Sequence, residues 1–326
     1  MRYFTITLLI IACQIGTVKA NTSNTAGPNC HLIHLAMSTD DGKSYKHFKK
    51  KLMESASVPD VVKFKGKKLV YYVNGDFDKH SIHAAELTNN GKAVKEMGPI
   101  KLNGQIIKDA VDPDIIVTKD GKLRLFYYVG LFTNPVTYPK PNKFYSAVSS
   151  DGVNFSIEGV VATLDHATDP SVTILENGTY LMAIARNKEF KIQLFDSNDG
   201  YKFQKLNIIQ GGIPELSLNS EGKPILLFQD KGGFVLKSSN NNGKTWKTAK
   251  QSVLSGMPKG SASPSLLRLS KNEILMLYVS NKKGCVTPPT AYLEDNNSLV
   301  PKGHRSQASG EPPLGHGISP GRKKKN

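Results

Sequence analysis

The sequence predicts an all-β fold: a five-bladed β-propeller whose N- and C-terminal strands share one blade. Three observations lead there. A proline motif recurs five times, a polar turn motif is interleaved with it, and the order of the two leaves one blade split between the chain ends.

The proline motif opens an apolar, β-rich run. Its copies are Val58-Pro59-Asp60, Asp112-Pro113-Asp114, Asp169-Pro170-Ser171, Ile213-Pro214-Glu215 and Ser263-Pro264-Ser265. They lie about 50 residues apart, a period that marks repeat architectures. A tight turn follows each copy, such as Lys65-Gly66, Asp120-Gly121, Asn177-Gly178 or Glu221-Gly222. Gly beside Asn, Asp or Lys supplies the positive φ that a two-residue hairpin needs. The runs after these turns, such as 69–73, 123–129 and 274–279, are rich in Leu, Val, Ile, Phe and Tyr, as buried strands are.

The second motif reads Ser-x-Asp-x-Gly with an aromatic residue after it. It appears at Ser38–Tyr45, Ser149–Phe155, Ser197–Phe203 and Ser239–Trp246, with a worn copy at Thr88–Gly91. Ser and Asp or Asn side chains of this kind bond the backbone of their own turn, so these aspartates are assigned no catalytic role. The first copy precedes the first proline motif, and the last proline motif has no copy after it. The simplest account pairs C-terminal strands near 265–269 and 274–279 with N-terminal strands near 31–37 and 48–52. The two end segments together supply one repeat length of about 50 residues, and the ring closes on itself. That closure sets Cys30 beside Cys285, and a disulfide between them is expected at the seam.

The ends of the chain have their own character. Residues 1–20 carry Arg2, an apolar run through Cys13 and small residues at Val18-Lys19-Ala20, the pattern of a secretory signal. Ile10-Ile11-Ala12-Cys13 also fits a lipoprotein box, with Cys13 as the lipidated residue. The chain is therefore expected to be secreted or periplasmic. Elsewhere no apolar stretch is long enough to span a bilayer. The propeller is placed at 30–285. Residues 286–326 are rich in Pro and Gly, end in Arg322-Lys323-Lys324-Lys325, and read as a disordered basic tail. The net charge of +16 invites anionic partners, but the lysines are spread along the chain and no nucleic-acid motif accompanies them. A monomer acting on carbohydrate, without nucleic acid, is expected.

The Asp-Pro-x-Ile repeats and the tyrosine pairs Tyr71-Tyr72 and Tyr127-Tyr128 resemble the five-bladed glycosidase superfamily. That group includes glycoside hydrolase family 43 and the invertases. The Ser-x-Asp turns resemble the Asp-box, or BNR repeat, of sialidases. The resemblance implies an axial pocket with carboxylates from the innermost strands, one kept protonated and one ionised. Carried over, it implies Asp112 as base, Asp169 as modulator of its pKa and Glu215 as proton donor. Asp60, Asp114, Ser171, Ser265 and Arg186 are expected to contact substrate. Two positions depart from the family pattern. Gly212 stands where the enzymes place their acid Glu, and Val58 where they often place a base aspartate. The expected function is hydrolysis of an extracellular glycan, and the alternative is a non-catalytic propeller that binds glycan or protein. No catalytic metal or cofactor is expected, although the axial acids could hold a structural calcium. Sialidase chemistry would need Arg124, Arg186 and Arg268 to converge on a substrate carboxylate.

Overall fold

The computed structural model describes residues 27–76, 80–130, 141–230, 233–249, 258 and 260–285. The expected signal segment with Cys13 and the basic tail at 286–326 lie outside the described residues. Five sheets form the five blades of the propeller. Blade 1 runs outward through Ala56–Phe64, Lys67–Asn74, Ile82–Thr88 and Ala93–Pro99. Blade 2 uses Ala110–Val117, Leu123–Val129, Asn142–Ser149 and Asn154–Leu164, with Lys101–Leu102 on its rim. Blade 3 uses Ala167–Ile174, Tyr180–Arg186, Lys191–Ser197 and Gln204–Gln210. Blade 4 uses Pro214–Leu218, Pro224–Asp230, Gly233–Ser238 and Lys247–Thr248.

Blade 5 is built from both ends. Ala262–Arg268 and Ile274–Asn281 supply its inner strands, and His31–Ser38 pairs antiparallel with the latter from His31↔Asn281 to Ser38↔Ile274. The outer strand differs from the expected 48–52. It is two short pieces, Lys46–His47 and Met53–Glu54. The run between them bulges, and only the Phe48 and Leu52 amides return to the sheet, donating to the Leu35 and Ile33 carbonyls. Three successive lysines, Lys49, Lys50 and Lys51, favour solvent over a ladder position. Cys30 and Cys285 form the seam disulfide, with Cα atoms 5.5 Å apart.

Local chemistry explains the strands. Lys65 and Gly66 both take positive φ, 47° and 81°, and join the first two strands of blade 1 in a two-residue turn. The Ser-x-Asp segments cross from third to fourth strand. At Ser38 the hydroxyl accepts from the Asp40 and Gly42 amides, and the Asp40 carboxylate accepts from the Ser44 amide. The same pattern holds at Ser149 with Asp151, at Ser197 with Asp199 and at Ser239 with Asn241. These polar groups are satisfied within their own turns.

Apolar rows fill the spaces between blades. Leu69, Tyr71, Leu123, Leu125 and Tyr127 pack between blades 1 and 2. Ile33, Leu35, Val70, Leu275 and Leu277 join blade 5 to blade 1. Tyr71 also reaches across, donating its hydroxyl to the Gly152 carbonyl at 2.8 Å. Arg124 clasps blade 2 to blade 3. Its Nη2 donates to Glu158 at 3.0 Å, its Nε lies 2.9 Å from the other oxygen of that carboxylate, and its guanidinium lies 4.3 Å from the Tyr201 ring centroid of blade 3. His80 is buried and bonds the Asn74 carbonyl.

Candidate functional site: two layers of acids on the axis

The five motif prolines sit near the start of the innermost strands, which defines the entry end of the blades. The Ser-x-Asp turns lie at the opposite end. Each proline is flanked by one residue on either side, and these form two layers.

The layer just after the prolines is a closed hydrogen-bonded belt. Asp60 of blade 1 accepts from the Ile115 amide of blade 2, and Asp114 accepts from the Val172 amide of blade 3. Ser171 accepts from the Leu216 amide of blade 4, and Glu215 accepts from the Leu266 amide of blade 5. Ser265 then accepts from the Val61 amide of blade 1 at 3.0 Å. Every step runs from the residue after one proline to the second residue after the next. Two hydroxyls complete it: Ser265 donates to Asp60 at 2.5 Å and Ser171 to Glu215 at 3.1 Å. Asp60 and Glu215 thus have both oxygens engaged.

Asp60, Asp114 and Glu215 each bring one carboxylate oxygen within 4.8 Å of the others. Burial raises all three above the ordinary carboxylate range. The negative charges of Asp60 and Glu215 push Asp114 up further, and Asp60 does the same to Glu215. Protein N–H and O–H donors engage both oxygens of Asp60 and Glu215 and one oxygen of Asp114.

The layer just before the prolines holds Val58, Asp112, Asp169, Ile213 and Ser263. Val58, Asp112, Asp169 and Ser263 take left-handed φ between 44° and 51°, and the ladder shifts register beside each. A non-glycine residue there costs on the order of 1–3 kcal/mol. Only Asp112 and Asp169 bring acids to this layer. The Asp169 amide donates to Asp112 Oδ2 at 3.2 Å, while Asp112 Oδ1 is buried with no hydrogen-bond partner. Tyr128, beside the pair on the next strand of blade 2, has a buried hydroxyl that is likewise unpartnered. Thr168 donates to Asp169 Oδ2 at 2.5 Å, and Asn187 donates to Thr168 at 2.5 Å.

Burial raises Asp169 to about 6, with the Thr168 hydrogen bond opposing it. Asp112 is raised well above its usual value, by burial first and then by the charge of Asp169. Adjacent buried carboxyls resist ionising together, which favours one retained proton on the pair. Both are nearly enclosed, with Asp112 4% and Asp169 8% exposed.

The arginines do not converge. Arg124 and Arg268 lie at the turn end, the latter paired with Asp41 at 2.7 Å. Arg186 closes its strand at the entry end and pairs with Glu189. Sequence reasoning passed over Thr168 and Asn187, and noted Tyr128 only as one of a repeated tyrosine pair. The signal that could have found the first is its place, two residues before the blade 3 proline.

Five sheets around one axis, with acids gathered at its entry end, make this chain a five-bladed β-propeller. Comparison with solved structures bears on this directly. The family 117 glycoside hydrolase of the marine bacterium Zobellia galactanivorans superposes with a TM-score of 0.53 at 16% identity, over 85% of this chain and 100% of that one. A β-fructofuranosidase from Schwanniomyces occidentalis, complexed with fructosyl-erythritol, gives 0.53 at 14% identity, covering 73% of this chain and 54% of that one. The GH43_1 enzyme of Xanthomonas citri, complexed with xylotriose, gives 0.50 at 11% identity, over 70% and 86%. At these identities the likeness is one of fold. No family model and no curated protein sequence matches the chain.

Proposed function

We propose that this protein is exported and hydrolyses a glycosidic bond at the entry end of its axis, with Asp112 and Asp169 as the working pair. One observation carries the reading. Of the five motif acids, only these two stand outside the belt, next to each other, and Asp112 keeps an unengaged carboxyl oxygen. Asp169, the lower of the two, acts as the base that takes a proton from water while the water oxygen bonds the anomeric carbon, and Asp112, which the resemblance implied as the base, instead gives its proton to the departing glycosidic oxygen as that carbon–oxygen bond breaks. Glu215 stays in the belt. The seam disulfide fits an oxidising compartment outside the cytoplasm.

A second reading has its own support. All five acids are buried, and Asp60, Asp114 and Glu215 serve the neighbouring blades. A propeller that binds glycan without cleaving it would keep this arrangement.

The test is turnover of aryl glycosides and plant or microbial polysaccharides by the full chain. Loss of about 10²-fold or more in both Asp112→Asn and Asp169→Asn supports the assignment. Wild-type turnover in both variants removes the pair from the mechanism. Glycan binding without turnover by the unmodified protein leaves the second reading standing.

A further inference from the structure

Where two adjacent buried carboxyls such as Asp112 and Asp169 retain one proton, their hydrogen-bond partners decide which of them keeps it. The hydrogen bonds around the pair are unequal. Asp169 Oδ2 receives the Thr168 hydroxyl, and Thr168 in turn receives the Asn187 amide. A hydroxyl has one proton to give. With its acceptor side filled by Asn187, which has nothing else to offer it, Thr168 points that proton at Asp169. Asp112 has only the Asp169 backbone N–H, on Oδ2 at 3.2 Å, and its Oδ1 has no donor.

We propose that Thr168, oriented by Asn187, is a positioning residue that holds Asp169 as the ionised member of the pair and so leaves the proton on Asp112. The proposal rests on the reading of this pair as the working acids and names the device that divides their roles. A hydrogen bond to a charged acceptor favours the charged form, and short donor–acceptor distances mark the strong cases. Among the described residues, Tyr128, Thr168 and Asn187 face the pair. Tyr128 approaches from the second strand of blade 2 and feels the charges of Asp112, Asp169 and Asp109. Thr168 precedes Asp169 on its own strand, and Asn187 comes from the turn after Tyr180–Arg186. Arg186, which precedes Asn187, is paired with Glu189. Among the described residues the Asn187–Thr168 chain is thus the side-chain donor system that distinguishes the two carboxyls. Proton affinities run the same way: the Thr168 bond lowers Asp169, and no side-chain donor lowers Asp112.

The experiment is a carboxyl-carbon NMR titration of Asp112 and Asp169 in the resting full chain, comparing wild type with Thr168→Val, Thr168→Ser and Asn187→Ala. Thr168→Val is expected to raise the proton affinity of Asp169 by about tenfold or more, the scale of a lost bond to a charged group. Thr168→Ser should restore the wild-type order of protonation, and Asn187→Ala should shift Asp169 in the same direction by less. An unmoved Asp169 in both Thr168→Val and Asn187→Ala overturns the proposal, as does an equal shift in Val and Ser variants. Should Thr168→Val not fold, Asn187→Ala carries the test alone, because Asn187 lies in a short turn with no core to fill. The titration needs no substrate. A protein without hydrolytic activity would therefore sink the proposed function while leaving this result to be read on its own.

Discussion

Ser265 and Asp60 join the last blade to the first: the Ser265 hydroxyl donates to Asp60 Oδ1 at 2.5 Å while accepting the Val61 amide at 3.0 Å. Both residues are buried. The belt around the axis thus closes at the same seam that the disulfide closes at the rim.

Removing that hydroxyl should be costly. Ser265→Ala leaves the Val61 N–H and one oxygen of Asp60 buried without partners, and about 2–4 kcal/mol of stability should go with them. Urea unfolding with a well-defined slope measures it. A loss below about 0.5 kcal/mol would mean that the belt contributes little to closure.

The disulfide is an independent clamp. Cys30→Ser with Cys285→Ser should lower stability by about 2–4 kcal/mol. The reduced wild-type protein should behave in the same way. Combining the double substitution with Ser265→Ala should cost more than the sum if rim and axis share one opening event, and a double-mutant cycle reads that directly.

Stability should also fall as the solution becomes less acidic. The folded-state affinities of Asp60 and Asp169 rise from 3.8 to about 6, and Asp112, Asp114 and Glu215 are raised further. The folded chain therefore binds more protons than the unfolded chain once pH exceeds the unfolded carboxyl range, near pH 4. The contribution of these groups is full below that range and is lost as pH climbs through about 6 and beyond. Denaturant midpoints from about pH 4 to pH 8 test the sign. Asp114→Asn, which keeps an acceptor for the Val172 amide but cannot ionise, should flatten the decline.

Arg124→Lys should destabilise the clasp between blades 2 and 3. The ammonium cannot reproduce the two-pronged contact with Glu158 or the stacking on Tyr201. A loss of about 1–3 kcal/mol is expected from thermal or urea unfolding, with no change in the titration of Asp112 and Asp169.

Much of the architecture was legible because its signals are local. Proline, glycine and the Ser-x-Asp turns mark strand starts and crossings whatever packs around them, and their order alone implied the shared blade. The belt was harder to see. Asp60, Asp114, Ser171, Glu215 and Ser265 look like mixed chemistry, and the acids among them invite a catalytic reading. What they share is a side-chain oxygen able to accept an N–H from the next blade, a relation between residues some 50 positions apart that no local pattern displays. Thr168 and Asn187 were missed for a related reason. They meet only because the ladder shifts register beside Asp169 and the chain turns sharply after Arg186. The outer strand of blade 5 was misplaced by a few residues, since nothing beyond it constrains its register.

Because His31 and Asn281 are partners in one ladder, the ring has no privileged starting point. A short linker from the vicinity of Gly27 to that of Cys285 would make the backbone continuous, and new ends could be opened between other blades. A circularly permuted gene beginning at blade 2 or blade 3 should then encode the same molecule, with the order of its sheets a matter of history and their cyclic succession a matter of physics.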